Sequence, residues 1–175
     1  MAEHQRNPMQ EVRISKLVIN IGSGSDQKQN EAAKKLITLI TGRKPADEVS
    51  KRRNPAFKIT KGQKIGAFVT VRGGEAGALL PKLLDAVDNR LKGSAITPNS
   101  LSFGIKEYID IRGVKYDPAI GMLGMNVNLS FRRRGARVAA RKRMAARVPE
   151  RHGVVGPGEI KEYMIKEYKV EIAEA

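Results

Sequence analysis

The spacing of apolar and polar residues predicts a chain in which strands and helices follow one another. Strands are indicated by apolar residues at alternate positions, as in Met125, Val127, Leu129 and Phe131, or by runs of β-branched residues. The predicted extended segments are residues 13–21, 47–50, 65–72, 101–111 and 125–131. The segment at 13–21 carries apolar side chains on both faces, so we expect it at the centre of a sheet.

Three other segments repeat their apolar residues at helical spacing. The first begins after Asp26, a residue typical of a helix N-cap, and ends at Gly42. The second runs through the apolar positions between Leu79 and Leu91, and Pro81 inside it predicts a kink or a late start. The third covers residues 159–168. This order of elements predicts an α+β sandwich with a largely antiparallel sheet, helices packed on one face and the other face open.

The length of 175 residues fits a single domain. No internal repeat or linker divides it. We expect residues 1–131 to form the α+β core. Residues 132–175, an arginine-rich segment and a C-terminal helix, are expected to pack on this domain or extend from it.

The formal net charge of +15 changes the picture, because so large a charge repels itself unless a polyanion neutralises it. Nucleic acid is the first candidate partner and an anionic membrane surface is the second. The chain has no cysteine, no apolar run long enough to span a membrane and no signal-like N-terminus. We therefore expect a soluble cytoplasmic protein without a membrane partner.

A basic loop at residues 51–64 holds six cations and no acid. Such a loop approaches phosphates without competition from carboxylates, and its Asn54-Pro55 step stiffens the turn. Phe57 either stacks on a base or ribose or packs into the core, and the sequence leaves these two open. The cations of the loop are Lys51, Arg52, Arg53, Lys58, Lys61 and Lys64.

A second basic region occupies residues 132–151, where nine cations stand against Glu150 alone. Helical spacing would align Arg133 with Arg137 and Arg141, and Arg143 with Arg147. A solvated tail that orders only on its partner is the alternative, and it also implies a polyanion. The cations proposed to contact phosphates are Arg132, Arg133, Arg134, Arg137, Arg141, Lys142, Arg143 and Arg147.

The polar side of the predicted sheet offers groups that can read RNA. Asn126, Asn128 and Ser130 alternate with the apolar residues of their strand, and Thr70 and Arg72 do so on theirs. Amide and hydroxyl groups suit ribose 2′-hydroxyls and base edges, although an ordinary solvent-facing surface explains the same pattern.

Catalytic motifs are scarce. The two histidines, His4 and His152, have no matching nucleophile or carboxylate motif, and no residues have metal-ligand spacing. Gly22-Ser23-Gly24 lacks the third glycine of a dinucleotide fingerprint. We therefore expect no enzyme activity, no cofactor and no small-molecule substrate. A nuclease or an architectural DNA-binding protein are the alternatives that binding and cleavage assays would distinguish.

Four stretches resemble one known family, in family order: NPMQEVRISKLVINIGSG (7–24), GRKP (42–45), FKITKGQKIGAFVTVRG (57–73) and FGIKEYIDIRGVKYDPAIGMLGMNVNL (103–129). They resemble the large-subunit ribosomal protein five family, which holds 5S ribosomal RNA in the central protuberance. The opening NPM and the phrase IDIRGVKYDPAIG look like its archaeal and eukaryotic branch.

The resemblance implies a structural protein of the cytoplasmic ribosome that binds 5S rRNA through the sheet and adjoining loops. Asn20 and Thr70 stand at motif positions that contact this RNA in relatives, and Arg43 stands where relatives often carry Gln. The loop 51–64 matches the one that reaches toward the P-site tRNA. The resemblance also implies contacts with large-subunit rRNA and neighbouring ribosomal proteins, and a bridge to a small-subunit head protein around residues 103–124.

Overall fold

A computed structural model describes residues 7–173, so His4 lies outside the described residues. The strands are β1 (Val12–Gly22), β2 (Ala46–Val49), β3 (Lys64–Val71), β4 (Arg90–Lys92), β5 (Ile96–Thr97), β6 (Ser100–Ile105), β7 (Met125–Arg133) and β8 (Glu171–Ala173). The helices are α1 (Gln27–Thr41), α2 (Gly74–Asp85), α3 (Arg137–Ala140), α4 (Glu150–Gly153) and α5 (Pro157–Tyr168). None of the helices described within residues 7–173 is long and apolar enough to cross a membrane.

Six strands form one sheet in the order β2-β3-β1-β7-β6-β5, and every pair in it is antiparallel. β1 lies in the interior of this sheet, as its apolar residues on both faces predict. The predicted α+β class is confirmed. A separate parallel pair, β4 with β8, joins the segment after α2 to the C-terminal end and was not predicted.

One face of the sheet is covered by helices α1, α2 and α5. Leu17, Ile19 and Ile21 of β1 point into this side and are completely buried. The helices supply Leu36 and Ile37 from α1, Leu80, Leu83 and Leu84 from α2, and Ile160 and Met164 from α5, all buried in the same core. Tyr163 of α5 packs edge-on against Phe131, with ring centroids 5.9 Å apart, and burial raises its pKa to about 12.

A β-bulge interrupts the pairing of β1 with β7. The register shifts between Ile14 and Lys16, so Ser15 is the extra residue. Because of it, Ile14 pairs with Phe131 on the helix-covered side, while Arg13 and Lys16 both face the open side. Apolar spacing of three residues, from Ile14 to Leu17, is the sequence mark of this bulge.

Helix α1 confirms its prediction at both ends. The Asp26 side chain accepts a hydrogen bond of 2.9 Å from the backbone N–H of Lys28, which satisfies one free donor of the first turn. Gly42 ends the helix with φ 67°, a left-handed conformation that glycine adopts without a steric penalty.

The prediction for α2 was wrong about both of its ends. The helix begins at Gly74, and Pro81 lies exposed inside it, so the proline is accommodated within the helix instead of delaying its start. It stops at Asp85 because Asp88 and Asn89 have φ 53° and 56°, which no helix continues through. Leu91 is buried from strand β4 instead.

Two further predictions need correction. Arg133 belongs to β7, only residues 137–140 are helical beyond it, and Arg143 and Arg147 lie in irregular chain, so the expected arginine faces do not form. The extended segment at 101–111 ends as a strand at Ile105. Beyond it, a 3-10 turn at Tyr108–Asp110 places Tyr108 in the core, where its hydroxyl accepts a hydrogen bond of 3.0 Å from Asp117 N–H.

Candidate nucleic-acid interface

The open face of the sheet is organised in rows of side chains that cross the strands. In one row, Asn20 of β1 pairs with Phe68 of β3 and with Asn126 of β7, and Asn126 pairs with Gly104 of β6. The centre of this row is therefore two adjacent amides, flanked by a half-buried aromatic ring and by a residue without a side chain.

The next row repeats this uncharged character. Val18 lies between Thr70 and Asn128, and Asn128 pairs with Ser102. The apolar neighbours of these residues along each strand are buried, so the polar side chains face away from the helices as predicted.

Asn20 has an unusual environment within the face. Its amide oxygen is buried, and no hydrogen-bond donor in the described part of the chain reaches it. An unsatisfied buried acceptor costs free energy, which a donor from a bound partner would recover. The side chain is therefore suited to accept a hydrogen bond from a ligand on the open face.

A shallow depression at the β3 side brings two of the predicted RNA-binding residues together. It is lined by Arg43, Lys44, Phe68 and Thr70. The guanidinium of Arg43 is held by the carboxylate of Glu75 at 2.6 Å. Arg43 is thus fixed near Thr70 by an acid at the start of α2.

Cations collect at the opposite end of the open face from Asn20. Arg13 pairs directly with Arg132 across β1 and β7, and Lys16 pairs with Ser130. Arg72 follows Val71, which pairs with Leu17, so the antiparallel register brings Arg72 beside Lys16. Arg72 and Arg132 were predicted as contacts, whereas Arg13 and Lys16 were missed because a strict alternation of β1 does not place both on the open side.

Residues 50–64 form a hydrogen-bonded hairpin extension between β2 and β3. Asn54 and Ile59 exchange backbone hydrogen bonds of 2.9 and 3.0 Å below a 3-10 turn at Pro55–Phe57. Phe57 at this tip is 69% exposed, so the alternative in which it packs into the core is wrong. The exposed polar and charged residues of the hairpin are Lys51, Arg52, Arg53, Asn54, Lys58 and Lys61.

Lys64 differs from the other hairpin cations. Its ammonium lies 2.9 Å from a carboxylate oxygen of Asp47, which also contacts Lys34 of α1. Hydrogen bonds from Lys34 and then from Lys64 lower the pKa of Asp47. This cluster fixes the root of the hairpin against α1, so Lys64 is engaged within the protein.

The arginine-rich segment is anchored at its beginning and exposed beyond it. The guanidinium of Arg133 donates two hydrogen bonds, of 2.9 and 3.0 Å, to the Glu159 carboxylate of α5. Arg134 lies 3.0 Å from Glu11. The remaining cations are exposed: Arg132, Arg137, Arg141, Lys142, Arg143 and Arg147.

A long loop over residues 106–124 exposes apolar side chains. Ile109, Tyr116 and Met122 are 39%, 53% and 55% exposed, while Ile120 is buried. The hydrogen bond between Tyr108 and Asp117 ties the loop to the core. Among the described side chains, no three His, Asp or Glu residues lie close enough together to hold a metal ion.

Comparisons with known proteins identify the family. A model described as Ribosomal protein L5 matches residues 7–60, and one that describes the C-terminus of the same ribosomal family matches residues 64–152. Proteins called large ribosomal subunit protein uL5 are 40% identical in Sulfurisphaera tokodaii, covering 99% of both chains, and 36% identical in Nitrosopumilus maritimus, covering 99% of this chain and all of the relative. The relative from Methanosphaera stadtmanae is 40% identical and covers 95% of this chain and 99% of its own. The chain therefore belongs to the ribosomal protein L5 family and is a structural protein of the large ribosomal subunit, not an enzyme.

Proposed function

We propose that this protein binds 5S rRNA through the open face of its sheet and helps attach that RNA in the central protuberance. The observation that carries the proposal is the pair of adjacent amides, Asn20 and Asn126, at the centre of an uncharged polar face. Ribose 2′-hydroxyls both donate and accept hydrogen bonds, as these amides do. The other proposed contacts on this face are Arg43, Thr70, Arg72, Asn128 and Ser130.

The exposed arginines beyond β7 supply phosphate contacts to large-subunit rRNA in this proposal. Besides Arg134, which pairs with Glu11, six cations between Arg132 and Arg147 are exposed, and arginine suits bidentate binding of phosphate. Arg133 is an exception, because its guanidinium is already bound by both carboxylate oxygens of Glu159. We assign it a role in anchoring the segment.

The hairpin is proposed to contact the P-site tRNA. It combines exposed cations with an exposed aromatic ring, Phe57, at its tip. A ring of this kind stacks on a base or ribose, while the cations approach the phosphates. The internal hydrogen bonds of the hairpin support the view that it reaches its partner as a preformed element.

The loop at 106–124 is proposed to take part in the bridge to a small-subunit head protein. Exposed Ile109, Tyr116 and Met122 form a surface more suited to protein than to phosphate. Neighbouring ribosomal proteins are the other expected partners, and the setting is the cytoplasmic ribosome.

We also propose that residues 1–131 and 132–175 belong to one domain. Val155, Ile160, Met164 and Val170 of the C-terminal part share one hydrophobic core with the sheet. The Arg133–Glu159 pair adds a polar link between β7 and α5.

The experiment that tests 5S rRNA recognition is a salt series of binding to 5S rRNA, to a tRNA and to a DNA duplex. We expect the purified protein to prefer 5S rRNA at high salt, because hydrogen bonds to uncharged groups are screened less than phosphate contacts. Asn20→Ala and Thr70→Ala should each weaken 5S rRNA binding about 5- to 50-fold, corresponding to about 1–2 kcal/mol for each lost hydrogen-bonding group.

Thr38→Ala is the matched control, since Thr38 is exposed on α1, away from the open face. It should leave the affinity for 5S rRNA unchanged. Equal affinity for all three nucleic acids, falling together with salt, would contradict the proposal and leave only nonspecific charge.

A further inference from the structure

The β-bulge at Ser15 creates a cation cluster that the alternation of β1 alone would not produce. Without the extra residue, Arg13 and Lys16 would face opposite sides of the sheet. With it, both face the open side, where Arg132 and Arg72 already lie. We name Arg13, Lys16, Arg72 and Arg132 the bulge cluster.

The bulge cluster sets like charges side by side. Arg13 and Arg132 are direct cross-strand partners, and Lys16 and Arg72 adjoin on the neighbouring pair of strands. Directly opposed like charges destabilise a sheet. Among the described side chains, only Glu11 lies within ion-pair distance of the cluster, 3.7 Å from Arg13, and this carboxylate is also engaged by Arg134 at 3.0 Å. The cluster is therefore short of compensating negative charge.

We propose that the bulge cluster is a binding site for the phosphodiester backbone of RNA, which fixes the position of the RNA along the uncharged rows of the open face. Lys16 and Asn20 are four residues apart on one strand, which separates the cluster from the central amides by about 13 Å. Phosphate contacts fix register, whereas uncharged groups read 2′-hydroxyls and base edges. The two ends of the face thus have separate tasks. This inference rests on the proposed binding of RNA by the open face.

The test is the double variant Lys16→Gln/Arg132→Gln, which removes one cation from each like-charged pair. In the salt series with 5S rRNA, the log–log slope should fall by about 1.4–1.8, since each phosphate contact contributes about 0.7–0.9. The melting temperature of the free protein should rise by about 1–4 °C, because two repulsive pairs are removed. Weaker binding joined to higher stability is the signature of a site built for an anion.

The matched control is Lys35→Gln/Lys82→Gln, which removes the same charge from exposed positions on α1 and α2. Its slope should stay close to that of the unaltered protein. Equal slopes for the two double variants, with preference for 5S rRNA intact, would overturn the phosphate site while leaving the proposed function standing. A lower melting temperature for Lys16→Gln/Arg132→Gln would also overturn it, since the side chains would then be structural. Loss of preference for 5S rRNA in the unaltered protein would instead overturn the proposed function.

Discussion

Arg132 and Arg133 are adjacent in β7 but face opposite sides of the sheet. Arg132 lies exposed on the open face, opposite Arg13. The side chain of Arg133 is only 18% exposed and is bound by both carboxylate oxygens of Glu159. Two residues of one type therefore have different roles because side chains alternate along a strand.

We expect Arg133→Gln to lower the free energy of unfolding by about 1 kcal/mol, because Glu159 loses a bidentate partner but remains partly solvated. The salt slope of 5S rRNA binding should not change. Urea unfolding and the salt series measure the two effects. Arg132→Gln is the natural comparison, since it should lower the slope without loss of stability. A lowered slope for Arg133→Gln at full stability would show that its guanidinium contacts phosphate and not Glu159.

The hairpin between β2 and β3 is the element whose proposed role depends most on one side chain. Phe57→Ala should weaken binding to tRNA about 5- to 100-fold, because stacking of a base on an aromatic ring contributes about 1–3 kcal/mol. The melting temperature should not change, since the ring is 69% exposed. A buried phenylalanine would instead cost about 3–5 kcal/mol of stability when truncated.

Tyr116→Ala removes an exposed aromatic ring from the loop at 106–124 and is the control for this variant. It should leave tRNA affinity unchanged. If both variants bind tRNA as tightly as the unaltered protein does, stacking by Phe57 is excluded and the hairpin contributes charge alone.

Elements with strong local signals could be predicted from the sequence. Asp26 and Gly42 mark the ends of α1, and the alternation from Met125 to Phe131 marks β7. The pairing of β4 with β8 could not be predicted, because it joins segments about eighty residues apart and Leu91 fits a helical pattern equally well. The end of α2 depends on Asp88 and Asn89 adopting a left-handed backbone, which these residue types permit but do not require.

The candidate site was predictable where it follows simple alternation. Asn126, Asn128 and Ser130 lie on the open face for that reason. Arg13 and Lys16 were missed because a bulge changes which side a residue faces, and the partners of Arg133 and Lys64 depend on tertiary contacts with Glu159 and Asp47.

At the scale of the whole molecule, positive charge and uncharged polar groups occupy different regions. The net charge of +15 is concentrated in the hairpin, the bulge cluster and the exposed arginines beyond β7. The centre of the open face, around Asn20 and Asn126, is uncharged. Charge then supplies most of the affinity and long-range attraction for RNA, whereas the amides and hydroxyls supply selectivity.

The most direct test of this division is an NMR titration of the side-chain amide groups with 5S rRNA. Binding by the open face predicts that the amide signals of Asn20, Asn126 and Asn128 shift on addition of the RNA. Those of Asn30, buried in α1, and of Asn89, which donates to Asp85, should stay in place. If only the signals of the hairpin and the arginine segment move, while Asn20 and Asn126 are unaffected, the open face is not the RNA-binding surface and the account is wrong.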